Sequence, residues 1–275
     1  MTALGIATLQ TLSCIGFGAV ILNAFRIQKD LSCAEQWIWS FTIGFGLLGW
    51  LLFFFGVAGW FLPLPLFSVL GAGTCGIYFL LSSTTEKNIK NFSASFDFWH
   101  WLLIAGIGFI GLVDLFEGLS PPADGDTLAY HFALPKYFSA TGKLEFIPRA
   151  VDGAFPMLAH MTYIPALGLG GERALTLWVM LSGWMTVALV FIIARRNLDL
   201  RLSLLTALIF MSTPAVLYGA GSGQVEVRNA GFAIIAAFAV SQAVKHGLLR
   251  YSLLAGLMVG LNPLVGFVRR ITAVQ

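Results

Sequence analysis

The chain has 275 residues, of which 58% are hydrophobic and 11% charged, against about 45–50% and about 25% in an ordinary soluble domain. With a mean hydropathy of +0.85 there is too little polar surface to coat a water-soluble body, so lipid is the solvent for much of it. The net charge of +3 carries no basic cluster, which argues against nucleic acid as a partner, and three cysteines without a CxxC pair predict no disulfide framework.

The charge gaps define the spans. Residues 37–85 contain no Asp, Glu, Lys or Arg; that stretch is too long for one span of about 20 residues and right for two, with Pro63 and Pro65 at the break. Strand-like alternation is absent, and only helices or closed barrels satisfy their backbone in lipid. The expected fold class is therefore all-α, a polytopic membrane protein of about eight transmembrane helices at residues 3–25, 37–62, 64–81, 98–119, 174–194, 202–219, 230–244 and 251–268. This divides the chain into a four-helix region (1–119), a long loop (120–173), a second four-helix region (174–268) and a short tail (269–275).

Arg26, Lys29, Lys87, Lys90, Arg195, Arg196, Arg201, Lys245 and Arg250 all fall on one side of this arrangement, which is then cytoplasmic. Asp114, Glu117, Asp124, Asp126, Glu145, Asp152, Glu172 and Glu226 fall on the other. The loop is accordingly extracytoplasmic and the amino terminus lies outside. No basic stretch precedes Arg26, so a cleaved signal peptide is not expected.

Inside the loop, Pro121, Pro122 and Gly125 set a turn, and residues 127–140 read as an amphipathic helix ending near Gly142. Residues 154–169 are apolar but interrupted by Pro156 and Pro165, which predicts an interfacial or re-entrant segment. Two such juxtamembrane helices can wall a cavity open to water and to lipid, a shape suited to a substrate with a polar head and a lipid tail.

The chemical candidates gather there. Asp124 and Asp126 can each accept a proton from a hydroxyl nucleophile. Either can instead cap the helix that follows, and the Asp-Gly-Asp spacing also permits carboxylate ligation of a divalent ion. His131 and His160 lie in the same loop as polar interfacial residues or, with the aspartates, as metal ligands; Tyr130, four residues after Asp126, shares its helical face. Lys136, Lys143, Arg149, Arg173 and Arg228 are the cations on this side, able to pair with a phosphate or with lipid headgroups. Arg228 stands out because it opens the seventh span, where a helix N-terminus favours an anion. Gly219, Gly221 and Gly223 do not make a nucleotide loop, since no strand precedes them and the spacing departs from GxGxxG. They read as a hairpin, with Glu226 as a second acidic group toward the same cavity. Gly44, Gly46, Gly49, Gly56 and Gly59, with Trp50 and Trp60, read as helix packing and aromatic belt, and so does the Gly256/Gly260 pair.

The segment Asp126-Thr-Leu-Ala-Tyr130-His131, followed by Leu134-Pro135-Lys136, Gly142, Phe155-Pro156, Met161-Thr-Tyr163 and Gly170-Gly171-Glu172, resembles the polytopic GT-C glycosyltransferases. These are the protein O-mannosyltransferase-like and aminoarabinose transferase-like enzymes, and the resemblance runs from residue 120 to about residue 260. It implies a bacterial inner-membrane enzyme that moves a sugar from a polyprenyl-phosphate donor to an extracytoplasmic hydroxyl. Asp126 would act as the base in inverting transfer, and Asp124, Tyr130, His131, Lys136, Glu226 and Arg228 would line the site. No nucleotide or other cofactor is implied. Relatives carry further spans, so the resemblance leaves open whether the chain, which stops at Gln275, is the enzyme itself, an N-terminal piece of one, or a prematurely ended frame. A noncatalytic reading, a lipid-carrier transporter or an assembly subunit, leaves Asp126 as a cap only.

Overall fold

The computed structural model describes residues 2–84, 96–148 and 157–261. Arg149, Lys87, Lys90, Asp152, the Phe155-Pro156 pair and the tail lie outside the described residues. Every secondary-structure element among those described is helical: α1 (Ala3–Ala24), α2 (Cys33–Val57), α3 (Pro63–Cys75), α4 (Tyr78–Thr84), α5 (Phe98–Leu119), α6 (Ala133–Thr141), α7 (Leu158–Met161), α8 (Tyr163–Ala194), α9 (Leu200–Ser212), α10 (Pro214–Gly221), α11 (Glu226–His246) and α12 (Leu249–Leu261), with short helical turns at Gln28–Asp30 and Thr127–His131. The protein is an all-helical integral membrane protein.

Six stretches are long and apolar enough to cross a bilayer, namely α1, α2, Pro63–Ser82, α5, α8 and α11, and the bent pair α9–α10 makes a seventh if taken as one span. The eighth expected span coincides with α12, which is 13 residues long where the described residues end. Helix bounds differ from the sequence expectation where caps decide them. Ser32 and Glu35 form a reciprocal capping box, so α2 begins at Cys33 and takes Glu35 into its first turn. α11 begins at Glu226, four residues earlier than expected, because a first-turn carboxylate is favourable at the positive end of a helix. Pro214 cannot continue the hydrogen-bond ladder of α9, and α10 turns away from it by 74°.

Close backbone approach fixes the centre of the bundle. A Cβ on Gly44 would lie 1.7 Å from the Cys14 carbonyl oxygen, and one on Gly18 would lie 1.8 Å from that of Ser40. α1 and α2 therefore cross with their backbones in contact, the small-residue packing that substitutes for hydrophobic drive inside lipid. Trp39, Trp178 and Tyr163 are fully enclosed around this crossing. α5 is peripheral by contrast: only Asp114 and Gly118 are buried on it, and Phe98, Trp101, Phe109 and Phe116 face outward, toward lipid.

The bundle has two chemically distinct ends. At the first, Arg196 pairs with Glu35 and lies 4.5 Å over the Phe238 ring, Asp30 accepts from Tyr251 at 3.0 Å and from Arg250 at 2.8 Å, and Arg201 covers Trp99 at 4.8 Å. This is the basic end. At the second, Gly56 and Phe61 exchange backbone hydrogen bonds with Leu144 and Gly142, and residues 117–131, 158–172 and 218–228 converge. This is the loop end.

Candidate active site at the loop end

The turn after α5 is built by Asp124. Its Oδ2 accepts from the Thr127 backbone N–H at 2.9 Å and from the Thr127 hydroxyl at 2.6 Å, and its Oδ1 accepts from the Tyr218 hydroxyl on α10. Burial raises the Asp124 carboxyl, but the hydrogen bonds from Thr127, Tyr218 and the backbone outweigh it and hold the group below the ordinary aspartate range. Asp124 thus takes the capping position that the sequence left open between the two aspartates. Asp126 is exposed, already helical at φ −69° and ψ −38°, and makes no capping bond. Among the described residues no donor holds its carboxylate.

Residues Thr127–His131 then wind as a π-helical turn, a geometry frequent at functional sites, before α6 continues to Thr141. Gly142 ends α6 in the left-handed conformation at φ 75°. The expected continuous helix from 127 is therefore interrupted at His131 and Phe132. The turn buries the Thr127 and His131 side chains.

A chain of hydrogen bonds and ring contacts ties this turn to the rest of the site. The Gly223 N–H donates to Thr127 Oγ1 at 3.0 Å, and the Tyr163 hydroxyl donates to the Gly223 carbonyl at 2.9 Å. The Tyr163 ring meets His160 edge-on with centroids 5.5 Å apart, and His160 Nε2 lies 2.5 Å from His131 Nδ1. Tyr130, its neighbour in the chain, packs against the His131 ring with centroids 4.1 Å apart and planes tilted by 41°. The segment at 158–169 is thereby packed into the bundle, with Leu158 to Ala166 buried, rather than lying over its surface. Gly171, at φ 75° and ψ −172°, permits the turn from this segment into the main part of α8, in a backbone region that only glycine occupies readily.

A cavity of about 500 Å³ opens beside the turn, lined by Glu117, Asp124, Thr127, Phe132, Thr176, Tyr218 and the Gly221-Ser222-Gly223 run, among others. A second, of about 320 Å³, shares Pro121, Pro122, Phe132 and Thr176 with it and reaches Lys136 and Glu172. Lys136 is exposed and paired with Glu172.

The structure brings six of the seven expected site residues around one centre. Asp124, Asp126, Glu226 and Arg228 all act electrostatically on His131, Tyr130 packs against it at a tilt, and Lys136 stands one helical turn further on at the second cavity. Burial pushes the His131 imidazole down, against the pull of Glu226, Asp126 and Asp124; burial and the His131 charge push His160 down further. Both rings are therefore held neutral, and acid that charges them opposes the fold, because the unfolded chain takes up those protons first.

Arg228 departs from the expectation. It is 3% exposed, and all five N–H donors of its guanidinium are spent on protein oxygens: Ser182 Oγ at 2.7 Å, the Gly219 carbonyl at 3.2 Å, the Ala220 carbonyl at 3.1 Å, and the Gln224 and Val179 carbonyls. It shapes the 219–224 hairpin and has no donor left for an anion. Sequence reasoning overlooked Thr127, Tyr163 and Tyr218. The first had a signal, since an Asp just before a helix start accepts from a backbone N–H two or three residues on; Tyr163 stood in the loop only as part of the Met161-Thr-Tyr163 likeness, and Tyr218 sits in an apolar span with nothing local to mark it.

Residues 156–274 match the family model described as dolichyl-phosphate-mannose-protein mannosyltransferase. The resemblance to the polytopic membrane glycosyltransferases is shown over that segment. It takes in His160, Glu226 and Arg228 and begins beyond Asp124, Asp126, Tyr130, His131 and Lys136. No curated protein and no solved structure gives a match.

Proposed function

We propose that this protein is a GT-C type glycosyltransferase that moves a sugar from a polyprenyl-phosphate donor to a hydroxyl acceptor, with Asp126 as the general base. The observation that carries the reading is the division of labour between the two aspartates. Asp124 is consumed in capping the turn and holding Tyr218; Asp126, two residues on, is exposed and unheld, between Gly125 and Thr127, which line the cavity. An exposed carboxylate left unpaired, with a cavity-lining residue on each side of it in the chain, is available to a substrate proton. The family match at 156–274 supports the reaction class and the lipid-linked donor.

In the proposed step Asp126 takes the proton of the acceptor hydroxyl as its oxygen bonds to the anomeric carbon. The bond from that carbon to the phosphate oxygen breaks on the opposite face, and polyprenyl phosphate leaves with the electron pair. The configuration at the carbon is inverted. Lys136 meets the charge on the leaving phosphate by exchanging Glu172 for it, which suits an ion pair in which both partners are exposed and little is lost on opening. The step includes no nucleotide and no metal ion.

In this reading the loop end lies outside a bacterial inner membrane; the short connections at the other end, which hold Arg195, Arg196, Arg201, Lys245 and Arg250, support that orientation. The test is Asp126→Asn in the protein together with any chain that continues it. Transfer from polyprenyl-phosphate mannose falls by about 10²–10⁴-fold while membrane insertion is unchanged. Full transfer by that variant removes Asp126 from the mechanism, and exchange of the lipid carrier without cleavage of the donor replaces the enzyme reading with a transporter.

A further inference from the structure

Two buried imidazoles in contact are an unusual investment for a membrane bundle, where each polar group must find a partner. His131 from the π-helical turn and His160 from α7 stack with centroids 4.8 Å apart and planes 11° from parallel, and His131 Nδ1 faces His160 Nε2 at 2.5 Å. They are 2% and 8% exposed. A single proton fits between those two nitrogens, so each fixes the tautomer of the other. Tyr130 packs against the His131 ring and Tyr163 against the His160 ring.

The remaining polar atom of His131, Nε2, is buried and has no partner among the described residues. A buried nitrogen left unpaired costs about 1–3 kcal/mol, which the fold bears although a residue such as Phe would fill the space without it. The charged and titratable groups facing the pair are Asp124 and Asp126 from the turn, Glu226 and Arg228 from α11, and Tyr163 from α8. The guanidinium among them is saturated, and the carboxylates accept protons but offer none at neutral pH. None of them satisfies Nε2.

We propose that His131 Nε2 binds a hydroxyl group of the substrate and that His160 is its positioning residue, holding the ring in one tautomer and one orientation. This rests on the glycosyltransferase reading for the identity of the hydroxyl, which belongs either to the sugar on the lipid donor or to the acceptor. Arg228 and Tyr163 support the pair from below: Arg228 shapes the hairpin whose Gly223 carbonyl holds the Tyr163 hydroxyl, and Tyr163 abuts His160. Sequence spacing gives no hint of the partnership, because 29 residues separate the two histidines.

The test uses the full chain in lipid nanodiscs with ¹⁵N-labelled histidine, titrated through the imidazole range. The wild-type rings titrate as a coupled pair. His160→Phe keeps the stacked ring and removes its nitrogens: it uncouples the titration of His131, lowers transfer about tenfold and alters the acid limb of the pH profile. His160→Gln, which returns a hydrogen-bonding group, recovers most of the rate. The Nε2 resonance moves when polyprenyl-phosphate mannose is added if the hydroxyl is the donor's, and only on adding a free hexose as acceptor surrogate if it is the acceptor's. Movement with polyprenyl phosphate lacking a sugar overturns the hydroxyl assignment, and an unaltered His131 titration and pH profile in His160→Phe overturns the positioning role. A wild-type protein that shows the coupled titration yet cleaves no polyprenyl-phosphate sugar overturns the glycosyltransferase reading and the donor or acceptor assignment with it, while the role of His160 toward His131 is upheld.

Discussion

The two ends of the bundle solve the same problem in opposite ways. At the basic end the helices α2, α5 and α9 each start with a side-chain cap, from Ser32, Asp97 and Asp199, and the charges are closed into pairs: Glu35 with Arg196, Asp30 with Arg250 and Tyr251. At the loop end α1 is capped by Thr2, but α3, α8 and α11 start without a side-chain cap, and ionisable groups are left open there: the Asp126 carboxylate, His131 Nε2, and Asp114 Oδ1 beneath Trp184, where the basic end leaves open only parts of groups such as Trp39 Nε1, Ser40 Oγ and the Nε of the paired Arg250 among the described residues. Satisfied polar groups anchor a membrane protein, whereas unsatisfied ionisable ones in a membrane bundle mark a functional site. The family match covers residues from both ends, so the contrast is one of use within a single bundle.

The contrast can be broken most severely at the helix crossing on which both ends depend. Gly44→Val sets a side chain into the Cys14 carbonyl, forces α1 from α2, and costs about 3 kcal/mol or more. Its thermal midpoint in detergent falls steeply, and both histidines lose their buried environment. A smaller effect is expected at the basic end. Glu35→Gln removes the charge from a pair whose carboxylate is 8% exposed and lowers stability by about 1–3 kcal/mol, measured by denaturant unfolding in micelles, with sugar transfer per folded molecule unchanged. A loss of transfer beyond the folded fraction would mean that the two ends are coupled rather than divided.

The sequence made the fold legible because charge gaps and prolines report directly on spans in lipid: every one of the eight expected stretches coincides at least in part with a described helix. Bounds were less legible, since Ser32, Glu35 and Glu226 act through caps and dipoles that add several residues to an apolar window. The site was legible as a neighbourhood. Asp124, Asp126, Tyr130, His131 and Glu226 cluster because the loop and the hairpin after α10 emerge at one end of an up-and-down bundle. Their individual roles were hidden. Which aspartate caps depends on the π-helical turn, and the saturation of Arg228 depends on carbonyls of α8 and α10, none of which has a local sequence signal. The pairing of His131 with His160 likewise arises from tertiary packing alone.

The central claim is that two neighbouring carboxylates have separate duties, and crossing them tests it most directly. Asp124→Asn and Asp126→Asn are compared side by side for thermal midpoint and for transfer from polyprenyl-phosphate mannose, per folded molecule. The account predicts that Asp124→Asn lowers the midpoint through a weakened cap of about 1 kcal/mol and retains transfer within about tenfold, whereas Asp126→Asn leaves the midpoint in place and loses transfer by about 10²-fold or more. Equal losses of transfer in the two variants, or a midpoint that falls only for Asp126→Asn, would contradict it.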